Sequence, residues 1–197
     1  SYSVTGVQTC ALPILDSRIS TTARAAHLIQ AMVQADAGLS PTEFQAATFP
    51  PELRGKITVC HDGVNTQNVR PNPQARLDIP GTTLSFRPGD EVLSFVNRSL
   101  EPYRGYHSFM RALPDVLAAR PNAHAVIVGD EGQSYGAAPP GDKSWKQIFL
   151  DEVQDRLYLS RVHFLGRVPY PTFLSLLQIS RVHAYRTYPF VLSWSLM

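Results

Sequence analysis

Glu91-Val-Leu-Ser-Phe-Val-Asn-Arg-Ser-Leu-Glu-Pro-Tyr-Arg-Gly105 decides how the remainder of this 197-residue chain is read. Val92 to Val96 is an apolar run of strand length, and residues 106–117 carry apolar side chains at helical spacing, so a strand, a connection and a helix are predicted. The connection holds Arg98, Arg104 and Gly105. A helix N-terminus offers backbone N–H groups without intrahelical partners and the positive end of the macrodipole. Two guanidinium groups at such an entrance make a site for a polyanion such as a diphosphate, and Gly105 lets the anion approach the backbone closely. The competing reading is that Arg98 caps a helix or pairs with Glu101 at the surface.

Downstream the pattern is regular: strands at 92–96, 124–129, 162–165 and 181–185 alternate with helices at 106–119, 143–157 and 172–179. Strands apolar on both faces alternating with helices predict an α/β fold, a Rossmann-like parallel sheet with helices on both faces. Tyr106, Phe109, Met110, Leu113, Val116 and Leu117 form the predicted buried stripe of the first helix. Upstream, a helix over 16–37, capped by Ser17, Ser20 or Thr21, is stopped by Gly38. A short helix follows with Ser40 as cap and Pro41 at its first helical position, ended by Pro50-Pro51, and Lys56 to Cys60 reads as a strand. Residues 67–90 hold Pro71, Pro73, Pro80, Gly81, Pro88 and Gly89 without a sustained period and read as a linker.

The net charge of +2 is too small to argue for nucleic acid or an anionic membrane surface, and a local anion site is the better use of these cations. Cys10 and Cys60 form neither a metal spacing nor a disulfide framework, which fits a reducing, cytoplasmic compartment. No apolar run approaches the roughly 18 residues of a transmembrane segment. Six histidines lack metal-ligand spacing, and no Asp-x-Asp, Gly-x-Gly-x-x-Gly, phosphate loop or Gly-x-Ser-x-Gly elbow is present, so neither a metal nor a catalytic residue is assigned.

The element Arg98…Arg104-Gly105, with Glu101-Pro102 between, resembles the Arg…Lys-Gly element in the donor domain of retaining family 4 glycosyltransferases (glycosyl transferases group 1), enzymes with the two-Rossmann-domain GT-B fold. Arg104 stands where that family usually has Lys. Residues 125–132 resemble the family's second donor-domain strand and its glycine-rich exit, and Val162 to Val168 resembles its Val-x-Phe-x-Gly-x-Val strand. The resemblance implies that Arg98, Arg104 and Gly105 bind the donor diphosphate and that Arg167 and Val168 contact the nucleotide base. It implies a nucleotide-diphosphate sugar as donor substrate, no cofactor, and a glycan, lipid or small molecule as acceptor. It further implies a cytoplasmic protein, peripheral to the membrane in its full-length form.

Val4 to Ile14 resembles the in-frame translation of a DNA sequencing adapter, so residues 1–14 are set aside. The expected organisation is the end of an acceptor domain at 15–66, a linker at 67–90 and a truncated nucleotide-sugar donor domain at 91–197. The helix that carries the family's donor-binding Glu is not found, and the chain as it stands is expected to be inactive. Two alternatives remain: a non-catalytic nucleotide- or polyanion-binding Rossmann module, and a GT-B nucleotide-sugar epimerase.

Overall fold

The computed structural model describes residues 23, 25–132, 134, 136–188 and 192–197. Residues 1–14 and the expected caps Ser17, Ser20 and Thr21 lie outside them. The chain divides between Asp62 and Gly63 into two compact units, each described by itself.

In the first unit, helix α1 covers residues 25–34 and is followed by β1 (Gly38–Ser40), α2 (Glu43–Ala46), α3 (Pro51–Arg54) and β2 (Ile57–Val59). β1 and β2 pair in parallel, Gly38 opposite Ile57. The Lys56 ammonium donates to the Val33 and Ala35 carbonyls at 3.2 and 2.9 Å, where the helix leaves acceptors unsatisfied. Gly38 does not stop the helix. It opens β1, and a Cβ there would meet Met32 Sδ at 2.8 Å. The cap of α2 is Thr42 rather than Ser40, its hydroxyl accepting from Gln45 N at 3.1 Å. Pro51, expected to end an element, opens α3 at its first position, where proline's fixed φ and missing N–H are tolerated.

The second unit begins at Gly63. Its elements are β3 (Leu77–Asp78), β4 (Ser85–Phe86), β5 (Val92–Ser99), α4 (Tyr106–Ala119), β6 (His124–Asp130), α5 (Trp145–Val153), β7 (Val162–Gly166), α6 (Tyr170–Ile179) and β8 (Val182–Ala184). β5 to β8 form a parallel sheet in the order β7-β6-β5-β8. Apolar side chains leave both sheet faces, as the unbroken hydrophobic strands require. On one face Phe95 and Ile127 pack with Phe109, Leu113 and Leu117 of α4 and with Phe149 and Val153 of α5. On the other, Val92, Val126 and Val128 pack with Leu176 and Ile179 of α6 and with Ala75, Leu77, Ile79 and Phe86.

That second face is not covered by helix alone. Residues 67–90, expected as a linker, contain the antiparallel β3–β4 hairpin, whose Leu77 and Phe86 are buried against the sheet. Within the α4 stripe, Val116 departs from expectation, being 38% exposed, and Pro114 is buried instead. Helix α5 is shorter than the predicted 143–157 and is capped by Ser144, whose hydroxyl accepts from Gln147 N at 3.2 Å.

Candidate nucleotide site

Strand order reverses between β5 and β8, because β6 and β7 continue to one side of β5 while β8 lies on the other. In open α/β sheets, the crevice outside the carboxyl ends of the strands near such a reversal is where ligands bind. The carboxyl ends of β5, β6 and β7 carry two irregularities at the same level. Between β5 and β6 the register shifts after Val96 and resumes at Ser99 opposite Asp130, which sets Asn97 and Arg98 off the regular ladder. Between β6 and β7 it shifts after Ile127 and resumes with Val128 opposite Gly166. Extra residues of this kind bend a strand and re-aim its side chains.

Around these irregularities lies a cavity of about 330 Å³ lined by Asn97, Arg98, Val128, Gly129, Arg167, Val168 and Phe173. Arg98 therefore belongs to the end of β5, not to the connection after it, and its side chain is exposed. It makes no hydrogen bond or ion pair with any described residue, Glu101 included, so the surface Arg98–Glu101 pair is not formed. Arg167 is held by Asp130, with Nη2 2.7 Å from Oδ2. Gly129 is tightly enclosed: a Cβ there would stand 2.8 Å from the Asn97 carbonyl oxygen, so the cavity floor excludes any larger residue.

Arg104 and Gly105 do not line this cavity but lie on the connection from β5 to α4. After β5 a 3-10 turn, Pro102–Arg104, closes with Arg104 N and Tyr106 N donating to the Glu101 carbonyl at 3.0 and 3.4 Å. Arg104 is only 9% exposed. Gly105 is left-handed, φ 78°, and begins α4; having no side chain, it does not cap the helix itself. The close approach that Gly105 was expected to give an anion is made here by protein: a Cβ would lie 2.5 Å from Arg186 Cβ. Tyr188 N also donates to the Tyr103 carbonyl at 2.9 Å, and the two rings stand 5.5 Å apart, so the chain after β8 is fastened beside this turn. The structure thus gathers Arg98, Arg167 and Val168 around one cavity and places Arg104 and Gly105 at the start of α4.

Sequence reading gives Glu101 no role beyond a surface partner for Arg98, and it assigns none to Asp130 and Phe173. Glu101 is fully buried, its carboxylate accepting from Ser134 N at 3.3 Å, Ser134 Oγ at 2.5 Å and Gly136 N at 3.0 Å. Among the described residues no three His, Cys, Asp or Glu side chains group as a metal site would require, and no helix is long and apolar enough to cross a membrane.

This architecture, a parallel Rossmann-like sheet with a crevice at the carboxyl ends of its strands, is an α/β fold of the GT-B kind. The chain belongs to the glycosyl transferases group 1 family, whose model matches residues 83–188, more than half of its length. A second model, described as a glycosyl transferase family 4 group, matches residues 9–69. Among solved structures, the chain is similar to sucrose-phosphate synthase from Thermosynechococcus elongatus, at 16% identity and a TM-score of 0.57, covering 82% of this chain and 37% of that one. It is also similar to TarM, at 12% identity and a TM-score of 0.54, covering 81% of this chain and 26% of that one. A TarM variant from S. aureus in complex with Fondaparinux, alpha-GlcNAc-glycerol and UDP gives 13% identity and a TM-score of 0.53, covering 81% of this chain and 27% of that one. At such identities the likeness shows the fold. The chain spans about a quarter to somewhat over a third of the length of these structures. No curated protein matches the sequence.

Proposed function

We propose that the second unit holds the nucleotide-diphosphate part of a sugar donor, and that the whole protein transfers the sugar to an acceptor with retention, as a hexosyltransferase. The observation that carries this reading is the cavity at the carboxyl ends of β5, β6 and β7, where strand irregularities turn Arg98, unpaired among the described residues, and the Arg167–Val168 segment to one place. Family membership supplies the sugar, and the UDP in the TarM complex supports a nucleoside diphosphate as the leaving group.

In this reading the bond from the anomeric carbon to the diphosphate breaks with its electron pair leaving on the phosphate oxygen. Arg98 and Arg104 supply positive charge where that negative charge develops. Arg167 and Val168 border the base. Arg98 presents a planar donor fork suited to two phosphate oxygens, and each charge-assisted hydrogen bond contributes roughly 1.5–3 kcal/mol to donor binding. The acceptor is a glycan, lipid or small molecule, and the protein is cytoplasmic and peripheral to the membrane when complete.

The test is to incubate the whole protein, this chain alone being expected to be inactive, with UDP-glucose, UDP-N-acetylglucosamine and GDP-mannose, each with a panel of hydroxyl acceptors, and to follow the products by NMR. A new glycoside with the donor's anomeric configuration is expected. Binding without turnover assigns a non-catalytic nucleotide module, and sugar interconversion without an acceptor assigns an epimerase.

A further inference from the structure

Glu101 is a carboxylate with 0% exposure on a loop beside the proposed site, and burying a charge is costly unless it is fully hydrogen-bonded. Its two oxygens divide their work. Oε1 accepts from the Ser134 hydroxyl, and Oε2 accepts from the Ser134 and Gly136 backbone N–H groups. The same residue's carbonyl accepts from Arg104 N and Tyr106 N, closing the turn that carries Arg104 into α4. Through its main chain Glu101 therefore shapes the loop after β5, and through its side chain it fixes the loop after β6. A Cβ at Gly136 would stand 3.2 Å from Glu101 Oε2, so a small residue there allows the carboxylate to come so close. β5 and β6 are neighbouring parallel strands, and the loops at their carboxyl ends border the ligand crevice.

We infer that Glu101 is a positioning residue: its carboxylate clamps the loop containing Ser134 and Gly136 onto the Arg104 turn, so that Arg104 meets the donor diphosphate in one fixed geometry. This rests on the nucleotide-sugar reading above. A Gln at this position keeps the shape but replaces one acceptor oxygen by an N–H₂ that can only donate, so either the hydroxyl or the paired N–H groups lose their acceptor.

The experiment is a double-mutant cycle on the whole chain, read as the dissociation constants of UDP, GDP and ADP by titration calorimetry. Glu101→Gln is expected to weaken the tightest of the three by about tenfold, a size usual for residues in one hydrogen-bond network. Glu101→Gln added to Arg104→Ala is expected to cost nothing further, whereas added to Arg98→Ala it costs its full tenfold. Ser134→Ala, which removes one donor to the carboxylate without touching the buried charge, serves should Glu101→Gln fail to fold, and it shows the same dependence on Arg104. Additive losses with Arg104→Ala, or unchanged affinity in Glu101→Gln and Ser134→Ala, overturn the positioning role while Arg104→Ala itself still weakens binding. If none of the three nucleotides binds, or Arg104→Ala binds as tightly as the parent, the donor-site reading fails, and this inference with it.

Discussion

At Gly105 two constraints meet in one residue. Its backbone is left-handed at φ 78°, and the Arg186 backbone occupies the space a side chain would need. The first costs an L-residue about 1–2 kcal/mol, and the second displaces the chain after β8. Gly105→Ala is expected to lower the unfolding free energy by at least about 1–2 kcal/mol in urea denaturation; an unchanged midpoint contradicts this packing. The glycine itself was legible, since it stands between an apolar run and an amphipathic helix. Its neighbour after β8 was not, because Arg186 lies 81 residues later and no local pattern links the two. Glu101 was opaque for the same reason: its partners are 33 and 35 residues away, and a Glu beside Arg98 and Pro102 reads as a surface charge.

Elements long enough to repeat their period were legible in the sequence, and shorter ones were not. Helix α4 occupies the predicted 106–119 because 14 residues carry a full apolar stripe. β3 and β4 have two residues each, fewer than one cycle of alternation can establish, and they sit among prolines and glycines that suggest a connector. Yet the hairpin supplies part of the core. Phe86 is 7% exposed and packs with the rings of His124 and His163 at 4.9 and 6.0 Å. Phe86→Ala is therefore expected to cost about 3–5 kcal/mol, measurable by thermal or chemical unfolding, whereas a residue in a simple linker would change little. The bulge at Asn97 and Arg98 was equally hidden. Sequence reading ends the strand at Val96, while the structure carries it through Ser99, and the irregular register is what turns Arg98 to the cavity.

At the scale of the molecule, one buried and two partly buried imidazoles set the response to acid. Burial lowers His124, then the Arg161 charge lowers it further against the opposing pull of Asp90; burial and His124 lower His163. Burial also lowers His183, partly offset by its hydrogen bond with Ser94. His124 Nδ1 and His163 Nε2 stand 2.9 Å apart in stacked rings, so the pair has room for one proton between them, not two. With folded values below the unfolded one, the unfolded chain binds more protons as pH falls, so stability present above about pH 6.5 is lost below it. Unfolding midpoints measured between pH 8 and 5 are expected to fall on the acid side of about 6.5, and His163→Phe is expected to flatten that decline. A midpoint independent of pH in this range contradicts the neutral pair.

The α/β class and the parallel sheet covered on both faces follow from alternating periods, and the structure and family agree with them. The central claim is narrower: a nucleoside diphosphate sits at the carboxyl ends of β5, β6 and β7. Its most direct test is titration of the isotopically labelled chain with UDP, GDP and ADP while backbone amide resonances are followed. The account predicts saturable shifts at Arg98, Gly129 and Val168 and at the Arg104–Gly105 turn, all removed by Arg98→Ala together with Arg104→Ala. Absent shifts, or shifts confined to residues away from those strand ends, contradict it.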